Sequence, residues 1–160
     1  MSKAPPRKND AVTLLDDEHI AVKKLFQEFN KLAEVDAPAD ERKAIADKIC
    51  MELTVHATIE EELFYPPVRE ATGDDDMMDE ADVEHAGAKD LIAQISAMQA
   101  DESHFNAKVK VLGEMIDHHV GEERDSMFPK SRGTDLDLAG LAEQLAARRA
   151  ELESEFKATA

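Results

Sequence analysis

An all-α chain, folded as an antiparallel up-down four-helix bundle with an additional C-terminal amphipathic helix, is what this sequence predicts. Three observations carry the prediction. Apolar residues recur at spacings of three and four along four long segments separated by short polar turns. Alanine, Leu, Glu, Lys and Asp dominate, Trp is absent and β-branched residues are thin, a balance that favours helix. The chain also repeats itself. Glu18-His19 with Lys23 and Leu25 is answered by Glu84-His85 with Lys89 and Leu91, and His56-x-x-x-Glu60 with Pro66 by His119-x-x-x-Glu123 with Pro129. The offsets of 66 and 63 residues mark a duplicated helical hairpin.

The first helix is expected from about Val12 to Val35, with Val12, Leu15, Val22, Phe26 and Phe29 on one stripe and His19 within it. Ala37-Pro38-Ala39-Asp40 makes the turn, and Pro38 or Asp40 starts the second helix. That helix runs toward Glu70 with Ile45, Ile49, Leu53, His56, Glu60 and Leu63 on its inner face. Pro66 and Pro67 are expected to kink it or end it early, because each removes a donor and crowds the preceding turn. Residues 72–76 read as a loop that caps the third helix, about Met77 to Ala100, whose inner face carries Met78, Ala81, His85, Ala88, Ile92, Ile95 and Met98. After a turn at 101–104, the fourth helix spans about Phe105 to Met127, with Phe105, Val109, Leu112, Ile116, His119, Glu123 and Met127 inward. Gly133-Thr134 breaks the pattern and offers an N-cap to a last helix lined by Leu138, Leu141, Leu145, Leu152 and Phe156. The expected organisation is a flexible basic tail at 1–11, the bundle at 12–130, and a C-terminal helix at 131–160 packed on the bundle or on a partner chain.

Four His and two Glu sit inside otherwise apolar stripes. A spacing of four stacks His56 over Glu60 and His119 over Glu123 on one helix face each. An ionised carboxylate there loses several kcal/mol of hydration unless something compensates. A cation between the helices is the economical answer, and imidazole selects transition metals over Ca or Mg. Two ions, each taking two His and sharing two Glu, use all six groups, and such paired ions lie about 3.5–4 Å apart. The candidate ligands are His19, His56, Glu60, His85, His119 and Glu123. His118-Glu122 has the same spacing, but the helical neighbours of His118 are Glu114, Val111 and Asp125, a mostly polar face, whereas those of His119 are Leu112, Met115 and Met127. Pro66 and Pro129 each fall six after Glu60 and Glu123, which fixes the same register.

The pattern His19 … His56-x-x-x-Glu60 … His85 … His119-x-x-x-Glu123 resembles the hemerythrin-like, or HHE cation-binding, domains. Segments 56–66 and 118–129 are similar to that family's metal-binding second and fourth helices, and segment 136–153 to the tail of bacterial members. The resemblance implies a non-haem di-iron centre: two iron ions, carboxylate-bridged by these ligands, with an oxo or hydroxo bridge. The function implied is that of a di-iron protein that binds or reacts with oxygen, peroxide or nitric oxide, with azide-like anions as further ligands, in redox or stress response. The alternative is an iron- or oxygen-sensing or handling protein without turnover. Whether it is an enzyme is left open; if it is, a peroxide-decomposing di-iron oxidoreductase is the form expected. One departure matters: oxygen-carrying hemerythrins have His-x-x-x-His on the third helix, whereas His85 is followed at four by Lys89. That moves the expectation from reversible transport toward redox reaction or sensing. A ferritin-like reading would need Glu-x-x-His motifs, and here Glu follows His by four.

Other residues receive plainer expectations. Tyr65, matched by Phe128 in the repeat, is expected to pack as wall; Glu18, Glu84, Glu61 and Glu122 to face solvent; Lys23 and Lys89 to snorkel; and Cys50 to be an inert small hydrophobe. No general acid is evident beside the site. A net charge of −17 argues against nucleic acid and anionic lipid as partners, and no apolar run approaches the roughly 20 residues of a membrane span. A lone Cys and the absence of an apolar signal core make cytoplasm the expected compartment. The amphipathic last helix is compatible with a monomer or a dimer.

Overall fold

The computed structural model describes residues 9–159, and the N-terminal tail expected over 1–11 lies largely outside them. Helix α1 (Ala11–Glu34) begins where the Asp10 carboxylate accepts a hydrogen bond from the Thr13 amide at 2.9 Å. Helix α2 (Ala39–Ile59) starts directly after Pro38, whose fixed φ suits a helix entry. The same rod then continues through a π turn (Glu60–Phe64) into α3 (Tyr65–Thr72), which Gly73 ends in the left-handed conformation at φ 64°. Helix α4 (Asp75–Ala97) is capped by Asp74, whose carboxylate accepts from the Met77 amide, within the loop expected to supply a cap. Helix α5 (Phe105–Glu122) passes through a second π turn (Glu123–Met127) into α6 (Phe128–Arg132). Helix α7 (Leu138–Thr159) completes the described chain.

The prolines thus neither end nor stop the second rod. In each half a five-residue π turn opens at the repeated Glu and closes just before the proline, with the Tyr65 amide donating to the Glu60 carbonyl and the Phe128 amide to the Glu123 carbonyl. The wider turn relieves the collision between a proline ring and the carbonyl four residues back, so the rod survives to Thr72. The N-cap expected at Gly133-Thr134 also moves: the Asp137 carboxylate accepts from the Gly140 amide at 3.0 Å and caps α7 instead.

Helices α1, α2, α4 and α5 form the four-helix bundle, α1 against α2 and α5, and α4 against α2 and α5. Helix α7 lies across α1 and α2, burying Leu141, Ala142, Leu145 and Leu152. The apolar interior falls into two blocks. One contains Leu15, Ile59, Phe64, Met78, Met127 and Leu145; the other contains Phe29, Ile49, Leu53, Ile95, Phe105 and Leu112. Every candidate His lies between a residue of one block and a residue of the other along its helix, so the four rings form a layer across the bundle. No helix among the described residues is long and apolar enough to cross a membrane.

Leu145 is fully buried in the first block. Leu145→Ala is expected to cost about 2–5 kcal/mol, as other large-to-small core changes do. At roughly 2–4 °C per kcal/mol for a chain of this size, the melting temperature should drop by about 4–20 °C in calorimetry. A drop below a degree would mean that α7 contributes no packing to the bundle.

Candidate metal centre

Four helical rods deliver one His each. His19 comes from α1, His56 from the end of α2, His85 from α4 and His119 from the end of α5, while Glu60 and Glu123 open the two π turns. The structure brings all six into one buried cluster, with Glu60 and Glu123 at 0% and 1% exposure. The Nε2 atoms of His19 and His56 stand 3.0 Å apart, and those of His85 and His119 3.1 Å apart. Glu60 Oε1 lies 2.9 Å from His56 Nε2 and 3.5 Å from His85 Nε2. Glu123 Oε1 lies 3.3 Å from His19 Nε2 and 3.1 Å from His119 Nε2. Each carboxylate therefore reaches from one His pair to the other.

Hydrogen bonds on the far side of the rings fix which nitrogen faces inward. A carboxylate accepts only, so the Nδ1–H of His56 donates to Glu18 (3.3 Å), that of His119 to Glu84 (2.9 Å) and that of His85 to Glu61 (3.1 Å). In the neutral ring the inward Nε2 then carries a lone pair. His19 differs. Its Nδ1 has no hydrogen-bond partner; Asp16 Oδ1 is 3.6 Å away and is itself held by Arg124 at 2.6 Å. Glu18, Glu84 and Glu61 were expected to face solvent, and the structure corrects all three. A glutamate adjacent to a His on the same helix points about 100° away from it, which aims Glu18 and Glu84 at the His of the neighbouring helix.

The donor set fits metal ions on an observation independent of any relative. Both oxygens of Glu60 and Oε1 of Glu123 are buried without a hydrogen-bond donor, while the Nε2 atoms of four imidazoles converge on the same space. Only positive charge satisfies that arrangement. The electrostatics repeat the demand. Burial opposes charge on His56, yet Glu60 and Glu18 hold it well above the ordinary imidazole value. Burial likewise opposes charge on His119, but Glu123, with Glu60 and Glu84, pushes it up to about 10. Glu60 is itself held well below the usual carboxylate range, chiefly by His56, against the effect of its burial.

Tyr65 is the largest correction to the sequence reading. In an unbroken α-helix it would lie about 140° round from Glu60; the one-residue insertion of a π turn takes back about 100°. Its Oη consequently enters the centre, 3.1 Å from His85 Nε2, 3.1 Å from His119 Nε2 and 3.4 Å from Glu123 Oε2. Burial, then Glu60 and Glu123, push the phenol well above its usual pKa, so it stands as a proton-bearing donor. Phe128 takes the equivalent place in the other half and stacks on His19, ring centroids 5.8 Å apart. The two halves match in ligands and differ in their surroundings.

On the side of the second apolar block the rings face a cavity of about 40 Å³ walled by Val22, Leu53, Ile92, Met115 and Ile116. A water needs about 10–15 Å³ by this measure, so the space suits molecules of two to four heavy atoms. Lys89 reaches its edge and bonds Glu61 at 2.5 Å, adding a cation to the His85 side rather than only snorkelling. His118 is solvated as expected, 68% exposed, and pairs with Glu122 at 3.0 Å.

A sequence model described as the hemerythrin HHE cation binding domain matches residues 10–131. A DNA nickase from Nostoc sp. is 34% identical over 85 residues, 53% of this chain; the chain spans about a quarter (24%) of that protein's length. A crystal structure of a hemerythrin HHE cation binding domain-containing protein from Mycobacterium kansasii superposes with a TM-score of 0.75 at 24% identity, covering 91% of this chain and 88% of that one. That likeness concerns the fold.

Proposed function

Since the chain belongs to the hemerythrin HHE cation-binding domain family, we propose that His19, His56, Glu60, His85, His119 and Glu123 hold two iron ions, and that the protein binds or reacts with oxygen, peroxide or nitric oxide. The observation that carries this reading is the convergence of four imidazole Nε2 atoms and two buried carboxylates, three of whose four oxygens lack a hydrogen-bond donor, beside a small apolar cavity. Bound iron supplies a redox couple and a position open to a small ligand. The chain supplies the rest. Val22, Leu53, Ile92 and Ile116 exclude bulk water and admit small, weakly polar molecules. Tyr65 Oη offers a hydrogen bond, or a further oxygen donor, beside His85 and His119, where the sequence alone shows no such group. Glu18, Glu84 and Glu61 keep three rings in the tautomer that presents Nε2 inward.

The test is metal analysis, spectroscopy and turnover together. The purified chain, loaded anaerobically with ferrous iron and then exposed to air, should hold about two irons, show near-ultraviolet absorption that shifts with azide, and consume peroxide. His119→Ala should lose the consumption. A chain that binds two irons and consumes no peroxide would instead support sensing or handling without turnover. That second reading has one observation in its favour, the hydrogen-bonded line from α7 through Arg149 and Glu18 to His56. The nicking activity in the Nostoc relative's name is not carried over, because a net charge of −17 opposes a phosphate backbone.

A further inference from the structure

Glu18 and Glu84 hold equivalent places in the repeat, and each accepts a hydrogen bond from the outward nitrogen of the His one helix away. What lies behind them differs. Arg149 of α7 donates to Glu18 Oε1 at 2.5 Å, bonds Glu52 as well, and pairs with Glu153 at 3.1 Å. Glu18 is left 13% exposed and Arg149 20%, beneath a helix that has no counterpart in the duplicated hairpin. Among the described residues no helix covers Glu84 in the same way. Its second oxygen is 3.4 Å from His118 Nε2, on a side chain 68% exposed. A recess of about 300 Å³ opens there, bounded by Glu80, Glu84 and Glu122, with His119 and Glu123 in its wall.

On the reading that the centre holds two metal ions, we propose that Arg149 is a positioning residue. Through Glu18 it locks His56, so that the ion held by His19 and His56 is retained under α7 while the ion held by His85 and His119 exchanges with solvent through the recess beside Glu84. For an ion to leave, a ring must swing away and water or a competing ligand must replace it. On the His56 side the ring's outward hydrogen bond ends on a carboxylate clamped by a guanidinium in a half-buried setting, where charge-assisted bonds are strongest. On the His119 side the corresponding carboxylate leans on an exposed imidazole, and the recess gives water and small chelators room to approach. Its acidic rim also concentrates incoming cations. Retention in one position is thereby tied to the docking of α7.

Zinc, which is redox-silent, separates the two positions. The full-length chain loaded with zinc and mixed with excess 4-(2-pyridylazo)resorcinol should release metal in two phases of about one ion each. Arg149→Met should accelerate the slow phase about 10–100-fold, the usual scale for loss of a group that orients a metal ligand, and leave the fast phase unchanged. Arg149→Lys should restore part of the difference. Arg148→Met on the same helix, which removes the pairs with Glu62 of the first π turn and Glu151 of α7 without touching a ligand's partner, should behave as the parent. Should Arg149→Met fail to fold, Glu18→Gln carries the same expectation, since it keeps an acceptor for His56 and breaks the ion pair. Hydrogen exchange across residues 138–159 should slow on zinc loading in the parent and not in Arg149→Met. Two bound zincs released in a single phase, or a slow phase equally affected by Arg148→Met, overturn the proposal and leave the two-metal centre standing. A parent that binds fewer than two zincs overturns both.

Discussion

Chelation of the metal is expected to lower the melting temperature of this chain by about 8–16 °C. Metal bound only by the folded state contributes about 4 kcal/mol when free metal is near a thousand times its dissociation constant, and a chain of this size shifts by roughly 2–4 °C per kcal/mol. The location of the centre makes the effect large. The His layer stands between the two apolar blocks, so without cations the bundle holds two carboxylates in its middle, three of whose four oxygens have no hydrogen-bond donor. The neighbouring carboxylates favour protons on His56 and His119, which can supply part of the missing charge when no metal is bound. A control separates this cause from a general loosening. Glu60→Met/Glu123→Met replaces both carboxylates by apolar side chains of similar size, and exchanging buried ions for packed hydrophobes is often neutral or stabilising. The double variant should melt at or above the metal-free parent and show no dependence on chelator. An unchanged parent melting temperature after chelation, with metal loss verified, contradicts the assignment of the cluster as a metal centre.

The parts of this molecule legible in its sequence are those governed by local periodicity. Helical spacing placed His19, His56, His85 and His119 on inner faces, and the apolar neighbours of His119 separated it from His118, which the structure leaves 68% exposed. What escaped lies where one helix meets another or where the helical period breaks. Glu18 sits beside His19 in sequence and serves His56 instead, a pairing that depends on how α1 is rotated against α2. Tyr65 escaped because an α-helical count points it away from Glu60, and only the π turn rotates it into the centre. A signal for that turn was present in both halves: a proline six residues beyond each buried Glu cannot sit comfortably in an unbroken helix. Arg149 carried no signal at all, since it is one of many charged residues on an amphipathic helix and gains its role only from where α7 docks.

Loss of a single carboxylate is expected to empty both metal positions, and Glu60→Gln shows why. Glu60 Oε1 is 2.9 Å from an inward nitrogen of one His pair and 3.5 Å from an inward nitrogen of the other. The amide keeps the size of the side chain, removes its charge and points N–H groups at space that favours cations. Removing one partner from a buried charge cluster costs about 3–5 kcal/mol, which at 1.4 kcal/mol per tenfold is roughly a hundred- to several-thousandfold in affinity. Because the side chain reaches both pairs, that loss should fall on both ions, and metal content after dialysis should drop from about two per chain to below one. Glu123→Gln should do the same, reaching as it does from His19 at 3.3 Å to His119 at 3.1 Å. Neighbours with similar chemistry should be silent. Glu122→Gln touches the exposed pair with His118 and the neighbouring Glu80, and Glu62→Gln the surface pair with Arg148, where such interactions contribute at most about 1 kcal/mol. If Glu60→Gln instead lost one ion and kept the other at parental affinity, the carboxylate would belong to a single position, and the shared-ligand arrangement inferred from these distances would have to be abandoned.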